Sequence, residues 1–180
     1  MGDDYRVLVT ASRFWADRAA VEHQLRIAAA EAERDGKRPV LVHGQCDPRH
    51  PDTRRLIPWD TAKKMSWEVQ GRYLGGDWLA EWAALNFTRV RWQVERHPAR
   101  WDAPCRPECR PGHRRRKGRG PEYCPAAGNY RNAAMVALGA RCCIALILDC
   151  SAGAAGCADL ADRAGIEVRR FTVASETIAP

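Results

Sequence analysis

The sequence predicts an α/β fold, a doubly wound parallel sheet of about five strands that carries a small zinc-stapled insertion. Three observations lead there. Short β-branched or apolar runs alternate with stretches of helical periodicity, the pattern of a parallel sheet covered on both faces. The 180 residues suit one domain with one sizeable core. A turn-rich, cationic stretch with metal-type ligands interrupts the alternation late in the chain.

Tyr5–Thr10 (YRVLVT) is a short buried strand closing on Ala11-Ser12-Arg13. Asp17 is placed to cap a helix running to Arg34, with Val21, Leu25, Ala28 and Ala32 on one face, and Gly36 ends it. Pro39–His43 is the second strand, entering Gly44-Gln45-Cys46-Asp47. Residues 48–75 are irregular, with prolines at 48, 51 and 58 and a short helix expected over 60–69. Gly75-Gly76-Asp77 opens a helix with an apolar stripe of Trp78, Leu79, Trp82 and Leu85. Those tryptophans read as core. Arg89–Val94 (RVRWQV) alternates as a third strand. Asn129 to Leu138 is helical, Cys142–Leu148 (CCIALIL) is a central strand, the segment from Ser151 to Ala164 is helical, and Ile166–Val173 is the last strand. Residues 48–75 and 103–125 read as insertions into this body.

The second insertion holds Cys105, Cys109, His113 and Cys124 in a C-x3-C-x3-H-x10-C pattern. Tetrahedral zinc takes four N/S ligands, and three cysteines with one histidine is a structural set. Prolines and glycines separate the ligands, so the segment buries no core of its own and a metal is a physical reason for its order. Four protein ligands leave no open position for catalysis, so structural zinc is the expected cofactor.

Hydropathy and charge exclude other classes. No apolar run is long enough to span a bilayer, and MGDDYRVLVT does not read as a signal peptide. A reducing cytoplasm is therefore expected, where eight cysteines mean metal binding or packing, not disulfides. Cys142, Cys143, Cys150 and Cys157 read as buried, inert thiols. Residues 105–120 carry seven Lys/Arg and one Glu, a net +6 that leaves the rest of the chain near +1 of its total +7. The body is nearly neutral and the clip is cationic. The Ala- and Arg-rich composition suits a high-GC bacterial or phage genome.

In a doubly wound sheet the ligand lies beyond the C-terminal strand edge. The loops leaving that edge are Thr10–Arg13, His43–Asp47, Gly128–Asn132 and Ser151–Gly156. Small residues let backbone approach a ligand, and helix N-termini favour phosphate. Arg13 and Arg131 are suited to clamp phosphate oxygens. No loop matches a GxGxxG or P-loop pattern.

These loops resemble a known group. RVLVTASRFW is similar to the "RVLVTGSR-x-W" opening of YspA-like members of the SLOG superfamily, the Rossmann-like group that includes DprA and the LOG proteins. LVHGQCDP followed by GGDWLAEWAA resembles "HGG-x-x-GAD-x-x-A", here split by residues 49–74. RHPARWD resembles "HPADW", and AAGNYRNAAMVALGA resembles "GP-x-RN-x-x-M". SAGAAGCADLADRAGIEVRRF resembles "SRGT-x-x-x-x-x-A-x-x-AGIPV". The resemblance implies a Rossmann-like fold with a pocket for a nucleotide or nucleotide derivative. It implies a lining of Ser12, Arg13, Gly44, Gln45, Asp77, Arg131, Asn132, Ser151, Gly153 and Gly156, to which the loop reading adds Gly128 and Asn129. The chain departs from the pattern at Ala11 and Gln45, where glycine is usual, and at Ala154-Ala155-Gly156-Cys157. LOG enzymes use a Glu after a glycine-rich loop to cleave an N-glycosidic bond. Here the nearest carboxylate is Asp159.

Three function classes follow. The favoured one is a recognition or sequestering protein for a nucleotide signal or an NAD/ADP-ribose-type metabolite. The second is a hydrolase of a nucleotide N-glycosidic or phosphate bond, with His43, Asp77 and Asp159 as acid–base candidates. The third is a nucleic-acid accessory protein using the basic clip. A small-molecule partner is favoured over nucleic acid, no membrane partner is expected, and a homo-oligomer is compatible with the sequence. The clip returns into the Gly128–Asn132 loop, so Arg114–Arg116 are expected over the pocket mouth.

Overall fold

The computed structural model describes residues 3–149 and 151–173. Cys150, expected among the buried thiols, lies outside them. The main sheet is built from β1 (Asp4–Ala11), β2 (Arg38–His43), β3 (Gln93–Arg96), β6 (Cys142–Leu148) and β7 (Glu167–Val173). All neighbours are parallel, in the order β3-β2-β1-β6-β7. The chain steps outward from β1 to β3, then crosses back to β6. The crevice where that direction reverses lies between the C-terminal ends of β1 and β6.

Alternation along the buried strands builds two cores. Val7 and Val9 face one side with Ile144 and Leu146, against helices α1 (Arg18–Arg34) and α4 (Gly76–Asn86). Leu8 and Cys143 face the other, against α5 (Ala127–Ala137) and α6 (Ala152–Arg163). Asp17 caps α1 as expected, accepting the Ala20 N–H at 2.9 Å. Cys142, Cys143 and Cys157 are fully buried, and burial pushes each thiol's pKa up, Cys142 to about 11. They are unreactive packing groups.

Two elements differ from expectation. The third strand begins at Gln93 instead of Arg89, because the edge pairing is with the second half of β2, from Val40↔Gln93 to His43↔Arg96. Helix α4 has no polar face over most of its length: Gly76–Ala84 are all buried, and Leu85, assigned to the apolar stripe, is half exposed. A helix apolar on every side is a core helix.

The first insertion completes that core. It forms two single-turn helices, α2 (Trp59–Ala62) and α3 (Trp67–Gln70), where one short helix was expected. Trp59 is buried, stacks on His43 at 5.6 Å between ring centroids and meets the edge of Trp78 at 4.9 Å. Beneath it lies a buried charge cluster. The Glu81 carboxylate receives both the Nε and a terminal nitrogen of Arg96 (2.7 and 2.8 Å), the Nε2 proton of His43 (3.1 Å) and the Lys63 ammonium. Burial opposes ionisation, but the bonds from His43, Arg96 and Lys63 outweigh it and hold Glu81 well below the usual carboxylate range. The cluster ties the first insertion, β2, β3 and α4 together.

Gln45 follows β2 in the left-handed region, with φ of 50°, a conformation that costs a non-glycine residue about 1 kcal/mol. Its side chain holds no recorded bond, while its N–H donates to His43 Nδ1 at 3.1 Å. Gln45→Gly is therefore expected to raise stability by about 0.5–1 kcal/mol. Chemical denaturation checks this, and an unchanged or lower midpoint would contradict the strain.

Candidate ligand cavity and metal cluster

A cavity of about 830 Å³ opens at the crevice between β1 and β6, within the range that takes a cofactor-sized ligand. Of the twelve positions expected to bind ligand, ten line it: Ser12, Arg13, Gly44, Asp77, Gly128, Asn129, Arg131, Asn132, Ser151 and Gly153. Gln45 and Gly156 do not. Gln45 turns away in its left-handed conformation, and Gly156 lies one position beyond the first turn of α6.

Much of this lining also holds the crevice together. Ser12 N–H donates to Leu146 O and Ser12 Oγ accepts the Leu148 N–H, both at 2.8 Å, so one residue stitches the ends of β1 and β6. Ser12 O also accepts the N–H of Gly76 at 3.2 Å, which brings α4 onto the same point. A Cβ on Gly76 would overlap the Cβ of Ala11. This close approach is why glycine stands at the first position of α4. Asn132 Nδ2 donates to Gly153 O at 3.1 Å and sets the start of α5 against the start of α6.

Arg131 is the central cation. It lies one position beyond the first turn of α5, and its guanidinium packs against Gly44, where any Cβ would collide with it. One terminal nitrogen reaches His97 O at 3.3 Å and the other the Cys46 sulfur at 3.6 Å. The bond to oxygen is long and the one to sulfur is of ordinary length for a weak acceptor, and among the described residues the buried Nε has no partner. Asp77 accepts the Cys46 N–H at 3.1 Å. Burial, with Asp77 beside it, pushes Cys46 up to about 11, so this thiol is no nucleophile.

Two acid–base candidates lie elsewhere. His43 is fully buried among Glu81, Trp59 and the Gln45 N–H, which must donate to Nδ1. The Nε2 proton then belongs to the Glu81 bond, and no ring nitrogen reaches the cavity. Asp159 is exposed on α6 and pairs with Arg170 at 3.0 Å, away from the lining. Asp77 alone of the three lines the cavity, beside Asp149, which sequence reasoning passed over. Trp101, which stands in the RHPARWD segment, lines it too and was not among the expected binding residues.

The second insertion gathers its four ligands. The ligand atoms of Cys105, Cys109, His113 and Cys124 all lie within 4.8 Å of one another. His113 Nε2 stands 3.0 Å from the Cys105 sulfur and 3.4 Å from that of Cys124, and the Cys109 and Cys124 sulfurs are 4.0 Å apart. A tetrahedral metal with bonds of about 2.3 Å needs ligand edges of roughly 3.7 Å, so the cluster can hold a metal ion with little movement. Tyr130 Oη lies 3.0 Å from the Cys109 sulfur, an outer hydrogen bond that favours the thiolate. Around the ligands run a two-residue hairpin, β4 (Arg115–Arg116) and β5 (Glu122–Tyr123), and the carbonyls that bind Arg114.

The clip arginines do not reach over the cavity as expected. Arg114 donates to Ala103 O (2.8 Å) and Glu122 O (2.7 Å), knitting the clip to itself, and Arg116 pairs with Glu122 at 3.3 Å. Arg115 and Arg116 are exposed on the hairpin, and none of the three lines the cavity. The unmet backbone carbonyls of a turn-rich segment take the guanidinium first. The cavity is reached instead by Trp101, just ahead of the insertion, and by Pro125, its last residue.

No helix among the described residues is long and apolar enough to cross a membrane. Comparison with family models, with curated proteins and with solved structures gives no match.

Proposed function

We infer that the cavity binds a nucleotide-derived small molecule, a nucleotide signal or an NAD/ADP-ribose-type metabolite, and that the protein recognises or sequesters it. The observation that carries this reading is Arg131: a guanidinium laid on Gly44 in the lining of the crevice, held by one carbonyl and one sulfur and, among the described residues, by no carboxylate. A phosphate in the crevice would offer this cavity-lining guanidinium a charged acceptor. The starts of α5 and α6 flank it with helix N–H groups. Asp77 and Asp149 line the same space. Carboxylates repel a bare phosphate but accept from sugar hydroxyls, so a ligand with both groups fits better than inorganic phosphate. The resemblance of the crevice loops to the SLOG superfamily supports the same ligand class.

Binding is favoured over hydrolysis because His43 and Asp159 lie outside the cavity, and no histidine lines it among the described residues. A nucleic-acid role is disfavoured by the internal use of Arg114 and Arg116. Calorimetry with AMP, ADP and ADP-ribose, followed by chromatography of the recovered ligand, tests the reading. Saturable one-to-one binding with the ligand recovered intact is expected. Cleaved product would turn the reading to a hydrolase, and absence of binding for all three would reject it.

The ion of the clip is zinc on this reading, since a thiolate-rich, four-ligand set with one imidazole suits it. Elemental analysis is expected to give one zinc per chain, lost in Cys109→Ser, with a lower melting temperature on chelation. A metal-free protein that melts unchanged in chelator would contradict it.

A further inference from the structure

We propose that Trp101 is the base platform of this cavity, so that the ligand is a nucleotide whose phosphate lies on Arg131 and whose aromatic base stacks on the Trp101 ring. The proposal rests on the nucleotide reading above and adds to it the orientation of the ligand and a purpose for the clip.

The chain has seven tryptophans. Five, at 15, 59, 78, 82 and 92, are buried in the core. Trp67 is exposed beside Phe87, away from the cavity. Trp101 alone both lines the cavity and keeps 37% of its surface exposed. A large ring left partly bare in a pocket is held there at a hydrophobic cost that core packing does not explain.

Its position is fixed by the metal cluster's surroundings. The carbonyl of Trp101 accepts the N–H of Cys124, a cluster ligand, at 2.9 Å. Tyr123, next to that ligand, meets the ring edge-on at 6.3 Å and 78°. Gly128 passes close beneath it, and a Cβ there would stand 3.2 Å from the ring. The ring is thus oriented before any ligand arrives, which lowers the ordering cost of stacking.

The other aromatic in the lining, Phe14, is 40% exposed but carries two cations on its ring. Phe14 has the guanidinium of Arg49 4.8 Å from its ring centre and that of Arg54 at 6.0 Å. Trp101 therefore offers the available aromatic surface. Gly128 and Arg131 are three residues apart on α5, so they share a face of the helix about 4.5 Å apart along its axis. The ring packs on Gly128 and the guanidinium lies on Gly44, and both line the same cavity, so a ligand there meets an aromatic face and a cation together.

The test compares wild type, Trp101→Leu and Trp101→Phe as zinc-loaded full chains, reading ADP affinity, quenching of tryptophan fluorescence by ADP, and zinc content. Trp101→Leu is expected to lose about ten- to hundredfold in ADP affinity, with zinc content unchanged and the quench abolished. Trp101→Phe is expected to retain most of the affinity. Equal ADP affinity in wild type and Trp101→Leu would overturn the platform and leave the nucleotide reading standing. Loss of affinity and zinc together in both variants would also overturn it, making the ring a prop for the clip. Failure of wild type to bind ADP, AMP or ADP-ribose would reject the nucleotide reading itself.

Discussion

Arg131→Ala is expected to weaken ADP binding by about 1.5–3 kcal/mol, roughly ten- to a hundredfold, while leaving the melting temperature nearly unchanged. The asymmetry follows from how the side chain is held. Its bond to the His97 carbonyl is long at 3.3 Å, its other bond is to a sulfur, a weak acceptor, and among the described residues its Nε has no partner. Little native bonding is lost with it, whereas the phosphate loses its charged donor. The affinity of wild type should also fall as salt rises, and that dependence should flatten in the variant. Calorimetry at two salt concentrations checks both. Unchanged affinity would remove the phosphate from Arg131.

Glu81→Ala is expected to be the most destabilising single change outside the apolar core. It strands Lys63, Arg96 and the His43 Nε2 proton around an empty site. Breaking a buried pair costs about 3–5 kcal/mol. Lys63 and Arg96 are partly exposed and can rehydrate, which puts the loss near 3 kcal/mol, or roughly 6–12 °C for a chain of this length. Glu81→Gln keeps the shape and part of the bonding and should fall between. The sign with pH follows from the depressed carboxyl. Its stabilisation is complete above the unfolded glutamate value of about 4.3 and is lost as pH falls below it. Glu81→Ala should therefore cost least in acid. Denaturant titrations across pH test this, and an equal loss at every pH would contradict the ion cluster.

The parallel sheet and the crevice were legible because β1, β2 and β6 announce themselves by apolar runs and each crevice loop by small residues, whereas the edge strand β3 (QVER) has no such run and was placed too early. Glu81 was not, since a single glutamate in a helix normally faces water. The signal lay in its neighbours, Trp78, Leu79, Ala80, Trp82, Ala83 and Ala84, which leave that helix no wet face. Gly44 was legible as a cavity position but its neighbour was not: it makes room for the Arg131 guanidinium. The cluster of Cys105, Cys109, His113 and Cys124 was legible from spacing alone. Trp101 was not, because its role depends on the fold bringing Gly128 and Tyr123 against its ring. The clip arginines misled because charge content is visible in a sequence and the carbonyls that consume it are not.

Native mass spectrometry of the zinc-loaded chain with ADP added, wild type beside Arg131→Ala, tests the central claim most directly. The account predicts one zinc and one ADP per wild-type chain, with the zinc kept and the ADP lost in the variant. A wild-type chain that carries no ADP at millimolar excess, or a variant that carries it equally well, would contradict it.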